Sequence, residues 1–283
     1  MKYIYLPFLL IPLLFAGCET GQPTDEKGAL MIIGGGNRPD VIINRILDES
    51  DLSDPEAYGI VLTMSGFDPD TSGYYGEKPF RDNGFENMYS FDLGRRDSVT
   101  AGALDSVRNA AFMYITGGVQ SRFMEQIENH PEIGEAIFAA YENGSVISGS
   151  SAGAAIMSRI MITGDQAKHP EYTSTFYHLE KDNLVTEDGL GLVTDIIVDQ
   201  HFVKRARNNR LITAVMEYPD HKGVGIDEST AILVRGNIAE VVGLSQVLVY
   251  SNTGEPSVTE SGLLKGEGLL LDIYTQGDSF NIN

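Results

Sequence analysis

The stretch Ile147–Ser158, ISGSSAGAAIMS, decides how this chain is read. It places G-x-S-x-G at Gly149–Gly153, after the short apolar run SVIS (145–148) and before AAIMSRI, whose apolar residues have helical spacing. A strand that turns sharply into a helix needs small residues two positions either side of the turning serine. The serine hydroxyl then projects from the turn, and the next amide points to where an oxyanion forms. A glycine-rich packing turn has the same composition but no need of a strand before it and a helix after it. The context therefore predicts Ser151 as a nucleophile and the Ala152 amide as an oxyanion donor.

The same strand–turn–helix grammar recurs along the chain. ALMII (29–33) is followed by GGGNRPDVIINRILDE, GIVLTM (59–64) by SGFDPDTSGYY, and AFMYI (111–115) by TGGVQSRFMEQI. TDIIVD (194–199) leads into QHFVKRARNNRLITAVME. Apolar runs of four to six residues alternating with helices predict an α/β fold with a mostly parallel sheet and helices on both faces. After residue 222 the strand candidates GVGI, TAILV, IAEVVG and QVLVY crowd together, and read as extra C-terminal strands that complete that sheet in antiparallel or edge positions. Ligands of open parallel sheets gather beyond the carboxyl ends of the strands. Gly34–Gly36, Gly117–Gly118, Gly149–Gly153 and His201 all fall there.

A serine nucleophile needs a base. Of the five histidines, His130, His169 and His178 lie in polar stretches and His221 in the turn YPDHKG, whereas His201 directly follows an apolar strand. It is the candidate base. The carboxylate that orients it is Asp199, two residues earlier on the same ideal strand face, or Glu228, at the end of GVGIDE; residue logic leaves the two even. ITGGVQ (115–120) offers the second oxyanion donor, because glycine lets a backbone N–H approach a ligand unobstructed. GGGN (34–37) lacks a nucleotide fingerprint and reads as a turn lining the site. No HExxH or cysteine–histidine cluster accompanies Asp199, His201 and Glu228, so neither a metal nor a cofactor is expected.

The first eighteen residues, MKYIYLPFLLIPLLFAGC, have a basic start at Lys2, an apolar core from Ile4 to Phe15 and small residues before Cys18, the layout of a secretory signal. LFAGC resembles a lipobox, so residues 1–17 are expected to be a lipoprotein signal peptide, removed to leave Cys18 acylated. Residues 18–28 then form a polar tether, and 29–283 a single α/β peptidase domain. The chain is thereby expected to be exported and to meet the membrane through its lipid alone. Cys18 is the one cysteine, which excludes disulfides and a cysteine nucleophile in the folded body. Forty acidic against twenty basic side chains, a net charge of −20, repel phosphates and exclude a nucleic-acid partner.

Four blocks together carry a resemblance. GSSAGAAIMS, ITGGVQ, DQHFVKRARNNRLITAV and GVGIDESTAILV are similar, in this order, to blocks of cyanophycinase, within the serine peptidases that include aspartyl dipeptidase (dipeptidase E). The similarity runs from IIGGGNRPD to about Val234, and DQHFxxRxRxxRL is its most specific part. The resemblance implies a class I glutamine amidotransferase-like α/β fold and a Ser–His–Glu triad. By position the triad is Ser151, His201 and Glu228, with oxyanion amides from Gly118 and Ala152. Gln120, Asp199, Gln200, Arg205, Arg207 and Arg210 are implied around the substrate. It further implies hydrolysis of cyanophycin, a poly-aspartate carrying arginine on each side-chain carboxyl, to β-Asp-Arg dipeptides, and a homodimer. Val119 stands in GGVQ where a polar residue is expected of a cyanophycinase. The alternatives are a dipeptidase or isopeptidase acting on other aspartyl peptides, and a non-catalytic peptide-binding lipoprotein. Residues 162–191 carry no alignable motif and are expected to shape the pocket.

Overall fold

A computed structural model of the chain describes residues 27–173 and 175–283. The leader, Cys18 and most of the tether lie outside the described residues. The first half alternates β1 (Leu30–Ile33), α1 (Asp40–Glu49), β2 (Gly59–Leu62), α2 (Pro69–Asp82), β3 (Met88–Phe91), α3 (Ala101–Arg108), β4 (Phe112–Ile115), α4 (Gln120–Asn129), α5 (Pro131–Glu142), β5 (Val146–Ser150) and α6 (Ala152–Ala155). Strands β1, β5, β4, β2 and β3 lie side by side and parallel.

Period-two alternation sorts their side chains onto two faces. Leu30, Ile32, Ile60, Leu62, Met113 and Ile115 pack with Leu104, Phe123, Ile137 and Ala154 of α3–α6. Met31, Ile33, Val61, Phe112 and Tyr114 pack with Ile42, Ile43, Ile46 and Phe80 of α1 and α2. Helices therefore cover both faces, as continuous apolar strands require.

The second half departs from the expected layout. β6 (Ile160–Gln166) and β7 (Leu184–Asp188) form an antiparallel pair in the segment without a motif. β8 (Ile196–Gln200), α7 (Asn208–Glu217) and β9 (Lys222–Ile226) make a parallel crossover unit, followed by β10 (Thr230–Arg235), β11 (Ile238–Gly243), β12 (Val247–Asn252), the short pair β13 (Ser257–Val258) and β14 (Leu264–Lys265), then β15 (Leu269–Tyr274) and β16 (Ser279–Asn281). Of these, β10, β11 and β16 extend the main sheet antiparallel, next to β1.

TDIIVD, GVGI and QVLVY do not join that sheet. They form a second sheet in the order β15-β12-β9-β8. Ile196, Val198, Val224, Ile226, Val247 and Val249 bury one face of it in the main core, and Ile197, Leu248 and Tyr250 bury the other beneath Leu211 and Val215 of α7. An apolar strand covered on both faces looks the same in either sheet, so its run of residues does not reveal which it enters.

Candidate active site

The turn at Ser151 has φ 56° and ψ −110°, a backbone conformation that costs a side-chain-bearing residue about 1–3 kcal/mol. Its neighbours show why glycines flank it. A Cβ at Gly149 would stand 2.3 Å from the Gly153 carbonyl oxygen, and one at Gly153 would stand 2.3 Å from that of Ile115. The strand and helix thus approach backbone to backbone, and the Ser151 N–H donates to the Ile33 oxygen at 3.1 Å. Ala152, first in α6, has an N–H that no carbonyl of its own helix can reach.

His201 follows the last residue of β8 and leaves the strand with φ 50°. Its N–H donates to the Gly34 oxygen at 2.6 Å, while the Ser229 N–H donates to the Gly35 oxygen at 2.9 Å. The glycine turn after β1 therefore clamps the loops after β8 and β9 together. Among the described residues five non-glycine residues have positive φ, and Ser151, His201 and Ser229 are three of them. Backbone strain is concentrated at this junction.

The side chains then connect. The Ser151 Oγ and His201 Nε2 are 2.8 Å apart, and His201 Nδ1 and Glu228 Oε1 are 2.7 Å apart. With a carboxylate on one nitrogen and a hydroxyl on the other, the consistent tautomer donates from Nδ1 to Glu228 and accepts the Ser151 hydroxyl at Nε2. The imidazole is buried. Burial lowers its pKa below the ordinary 6.5, helped by the nearby charges of Arg205 and Arg207, while the Glu228 hydrogen bond and charge act the other way. A ring kept neutral can accept the serine proton, and Glu228 is placed to stabilise the imidazolium that results.

Asp199 has another partner. Its carboxylate takes a two-pronged contact from Arg210, with Nε at 2.8 Å from Oδ2 and Nη2 on Oδ1. The strand-face argument that put Asp199 beside His201 fails because His201 abandons strand geometry at the end of β8.

Gly118, with φ 144°, sits where a Cβ would be 2.1 Å from the Ser65 oxygen, and the Val119 N–H donates to that same oxygen at 2.9 Å. At Gly117 a Cβ would meet the Ser151 Cβ at 3.4 Å, so the glycine loop runs against the serine. A cavity of about 350 Å³ opens there, lined by Gly36, Arg38, Tyr75, Tyr114, Ser151 and His201 among others.

Of the arginine block, Arg205 is exposed, Arg207 and Arg210 are buried, and only Arg210 lies on α7. Arg207 donates to the Gln200 carbonyl at 2.6 Å and to its side chain. Gln120 donates to the carbonyls of Ile162 and Thr163 at 2.8 and 2.6 Å, which ties the segment without a motif to the end of the glycine loop. None of Gln120, Asp199, Gln200, Arg205, Arg207 or Arg210 lines the cavity beside Ser151. Asp199 and Arg210 face each other in the interior.

Two residues of the site escaped sequence reasoning. Arg38 lines the cavity with its guanidinium 4.6 Å from the Tyr114 ring centre and Nη1 buried without a hydrogen-bond partner. Asp227 accepts from the Lys204 N–H at 2.9 Å and the Ser245 hydroxyl at 2.7 Å, pinning the loop that carries His201. A helix-preceding arginine and one of two adjacent acids carry no local signal of these contacts. Among the described residues no group of three or more His, Cys, Asp or Glu side chains is placed to hold a metal ion, and no helix is long and apolar enough to cross a membrane.

Comparison with known proteins agrees with this geometry. The model of peptidase family S51 matches residues 87–242, more than half of the chain. The chain belongs to peptidase family S51. The S51 relatives include the cyanophycinase of Nostoc sp. (strain PCC 7120), 30% identical over 275 residues, which cover 93% of this chain and 89% of that protein. The cyanophycinase of Thermosynechococcus vestitus is 29% identical over 93% of this chain and 82% of its own length. Among solved structures, a peptidase from an acI-B1 Actinobacterium superposes with a TM-score of 0.65 at 20% identity, over 91% of this chain and 98% of that one. The family assignment makes the chain a serine-type peptidase, and its fold is that of the family: mixed α/β around a large, mostly parallel sheet.

Proposed function

We propose that this peptidase cleaves cyanophycin to β-Asp-Arg dipeptides, with Ser151 as nucleophile, His201 as general base and then acid, and Glu228 as the carboxylate that orients the imidazole. The observation that carries the reading is the unbroken chain Ser151–His201–Glu228, at 2.8 and 2.7 Å, in a protein related over nearly its full length to cyanophycinases. Ser151 Oγ attacks the scissile carbonyl carbon as its proton passes to His201 Nε2. The Gly118 and Ala152 amides receive the oxyanion, and collapse of the tetrahedral intermediate expels the amine, protonated by His201. Water then enters by the same route and releases the product from the acyl-enzyme.

In this reading the arginine block divides its work. Exposed Arg205 meets a substrate carboxylate, while Arg207, Arg210, Asp199, Gln200 and Gln120 form the wall that fixes the pocket. Arg38, beside the nucleophile, is placed for a second carboxylate. The lipobox-like LFAGC supports an exported, lipid-anchored enzyme that meets polymer outside the cytoplasm. Apolar Val119 at the oxyanion loop supports the second reading, a dipeptidase or isopeptidase for other aspartyl peptides.

The test is incubation of purified protein with insoluble cyanophycin, following clearing and identifying soluble products by mass spectrometry, with Ser151→Ala alongside. Release of β-Asp-Arg by the wild type alone is the expected result. If both proteins leave the polymer intact while the wild type cuts short α- or β-aspartyl peptides, the second reading replaces the first.

A further inference from the structure

At the carboxyl edge of the main sheet, one row of residues runs from the nucleophile outward. The pairing of Leu62 with Phe91, Leu62 with Ile115, and Ile115 with Gly149 sets Ser150, Thr116, Thr63 and Asp92 in register on β5, β4, β2 and β3. Asp92 is therefore three strand spacings from the serine strand, about 14 Å. It is 3% exposed, and both of its carboxylate oxygens lack a hydrogen-bond partner. Arg95 Nη1 is 3.6 Å from Oδ1, but its two N–H groups are spent on the carbonyls of Met64 and Gly66, both at 2.7 Å. A buried carboxylate so placed is costly, and burial raises its pKa above the ordinary value.

Asp92 lies in the wall of a cavity of about 360 Å³ that also presents Asp70, Glu77, Asp97, Arg96 and the exposed ring of Tyr74. Arg96 is held by Asp70 at 2.8 Å, Glu77 by Arg81 at 2.9 Å and Arg95 stands 3.6 Å from Asp92, so the acids at the cavity keep a negative excess with Asp97 exposed. The N-terminal half of α2 separates this cavity from the one beside Ser151, with Thr71, Ser72 and Gly76 facing the Ser151 cavity and Asp70, Gly73 and Glu77 the Asp92 cavity.

We propose that the Asp92 cavity binds a guanidinium group, an arginine side chain of the substrate lying outside the unit that is cut. The buried charge of Asp92 in the wall and the exposed carboxylate of Asp97 attract a guanidinium, and the Tyr74 ring supplies a face for the same cation. The carboxylates do not form a metal-holding cluster among the described residues, which favours an extended organic cation. An extended backbone covers 14 Å in about four residues, and each repeat is one backbone residue, so an arginine about four repeats along the polymer reaches the cavity while another unit occupies the catalytic pocket. The identity of the ligand rests on the reading that the substrate carries arginine; the presence of a cation site does not.

The test uses full-length protein carrying Ser151→Ala, so that binding is measured without turnover. It is titrated calorimetrically with Nα-acetyl-arginine amide and with its neutral isostere Nα-acetyl-citrulline amide. The expected result is binding of the arginine compound only, weakened at least about ten-fold by Asp92→Asn and also weakened by Tyr74→Ala, whose exposed ring is not needed for folding. Equal binding of both compounds, no binding, or binding that survives Asp92→Asn overturns the proposal. With Ser151 restored, Asp92→Asn should raise KM for long polymer and leave KM and kcat unchanged for a two-repeat substrate, which is too short to span both sites. A cation site in a protein that cuts no polymer would retire the substrate reading and leave the site standing.

Discussion

Gly35 lies flat against the imidazole of His201: a Cβ at position 35 would stand 2.4 Å from Cε1 and 2.6 Å from Nε2. Gly36 stands in the same relation to Glu228, where a Cβ would be 2.9 Å from that of the glutamate. The glycine run after β1 is therefore the bed on which two members of the proposed triad rest. Its φ of 106° at Gly35 adds a second reason for glycine. Gly35→Ala is expected to displace the ring and lower kcat by roughly 100-fold or more, with a loss of stability seen as a lower Tm. A variant with wild-type kcat would show that the ring has room to move aside.

Ser151 combines the proposed nucleophile with a strained backbone, and the two roles separate by mutation. Ser151→Ala is expected to lose roughly 10⁶-fold in kcat while keeping the strain. Ser151→Gly should be equally inactive but more stable than Ser151→Ala by about 1 kcal/mol, because glycine adopts φ 56° freely. Urea denaturation of the two variants side by side checks this.

His201 must be neutral to accept the serine proton, and its pKa is lowered by burial. Activity should therefore fall on acidification with a midpoint below 6.5. Folding stability should decline in the same window, since the unfolded chain takes up the proton first. Glu228→Gln removes the one group that raises this pKa. The acid limb of kcat/KM should move to still lower pH while the plateau drops roughly 10²- to 10⁴-fold, because the imidazolium loses its counter-charge. A plateau that holds would remove Glu228 from the mechanism.

The arginines of the DQHF block should divide into two phenotypes. Arg210→Gln leaves buried Asp199 without its two-pronged partner and should cost about 3–5 kcal/mol. Arg205→Ala, at an exposed position, should leave folding stability within about 0.5 kcal/mol of wild type while raising KM. Thermal melts and steady-state kinetics on both proteins tell wall from ligand contact.

Arg38 packs on Tyr114 and faces the same cavity as Ser151. Arg38→Gln should raise KM for substrates with a free carboxylate near the scissile bond and leave the corresponding carboxamides unaffected. An equal effect on both would make Arg38 a packing residue.

Much of the site was legible because turns announce themselves. Gly149, Ser151 and Gly153 carry the elbow, and His201 after an apolar strand marked the candidate base, since backbone conformation and burial are local properties. The choice between Asp199 and Glu228 was not local. It turned on His201 leaving strand geometry with φ 50°, which sends its ring towards Glu228, and on Arg210 occupying Asp199 from the next helix. The edge strand β3, half polar and partly exposed, gave no apolar run to find.

What the residues determined unaided is the alternation of buried strands and helices, the two-faced core, the strained serine and the histidine that follows β8. Only the tertiary structure decided that β8, β9 and β12 leave the main sheet, that Arg38 and Asp227 lie at the candidate site, and that neither carboxylate oxygen of buried Asp92 is hydrogen-bonded. The physical reason is range. Hydrophobic period and turn chemistry act over a few residues, whereas Ser151 and His201 meet across 50 positions and His201 and Glu228 across 27, through strand order and register that no short pattern encodes.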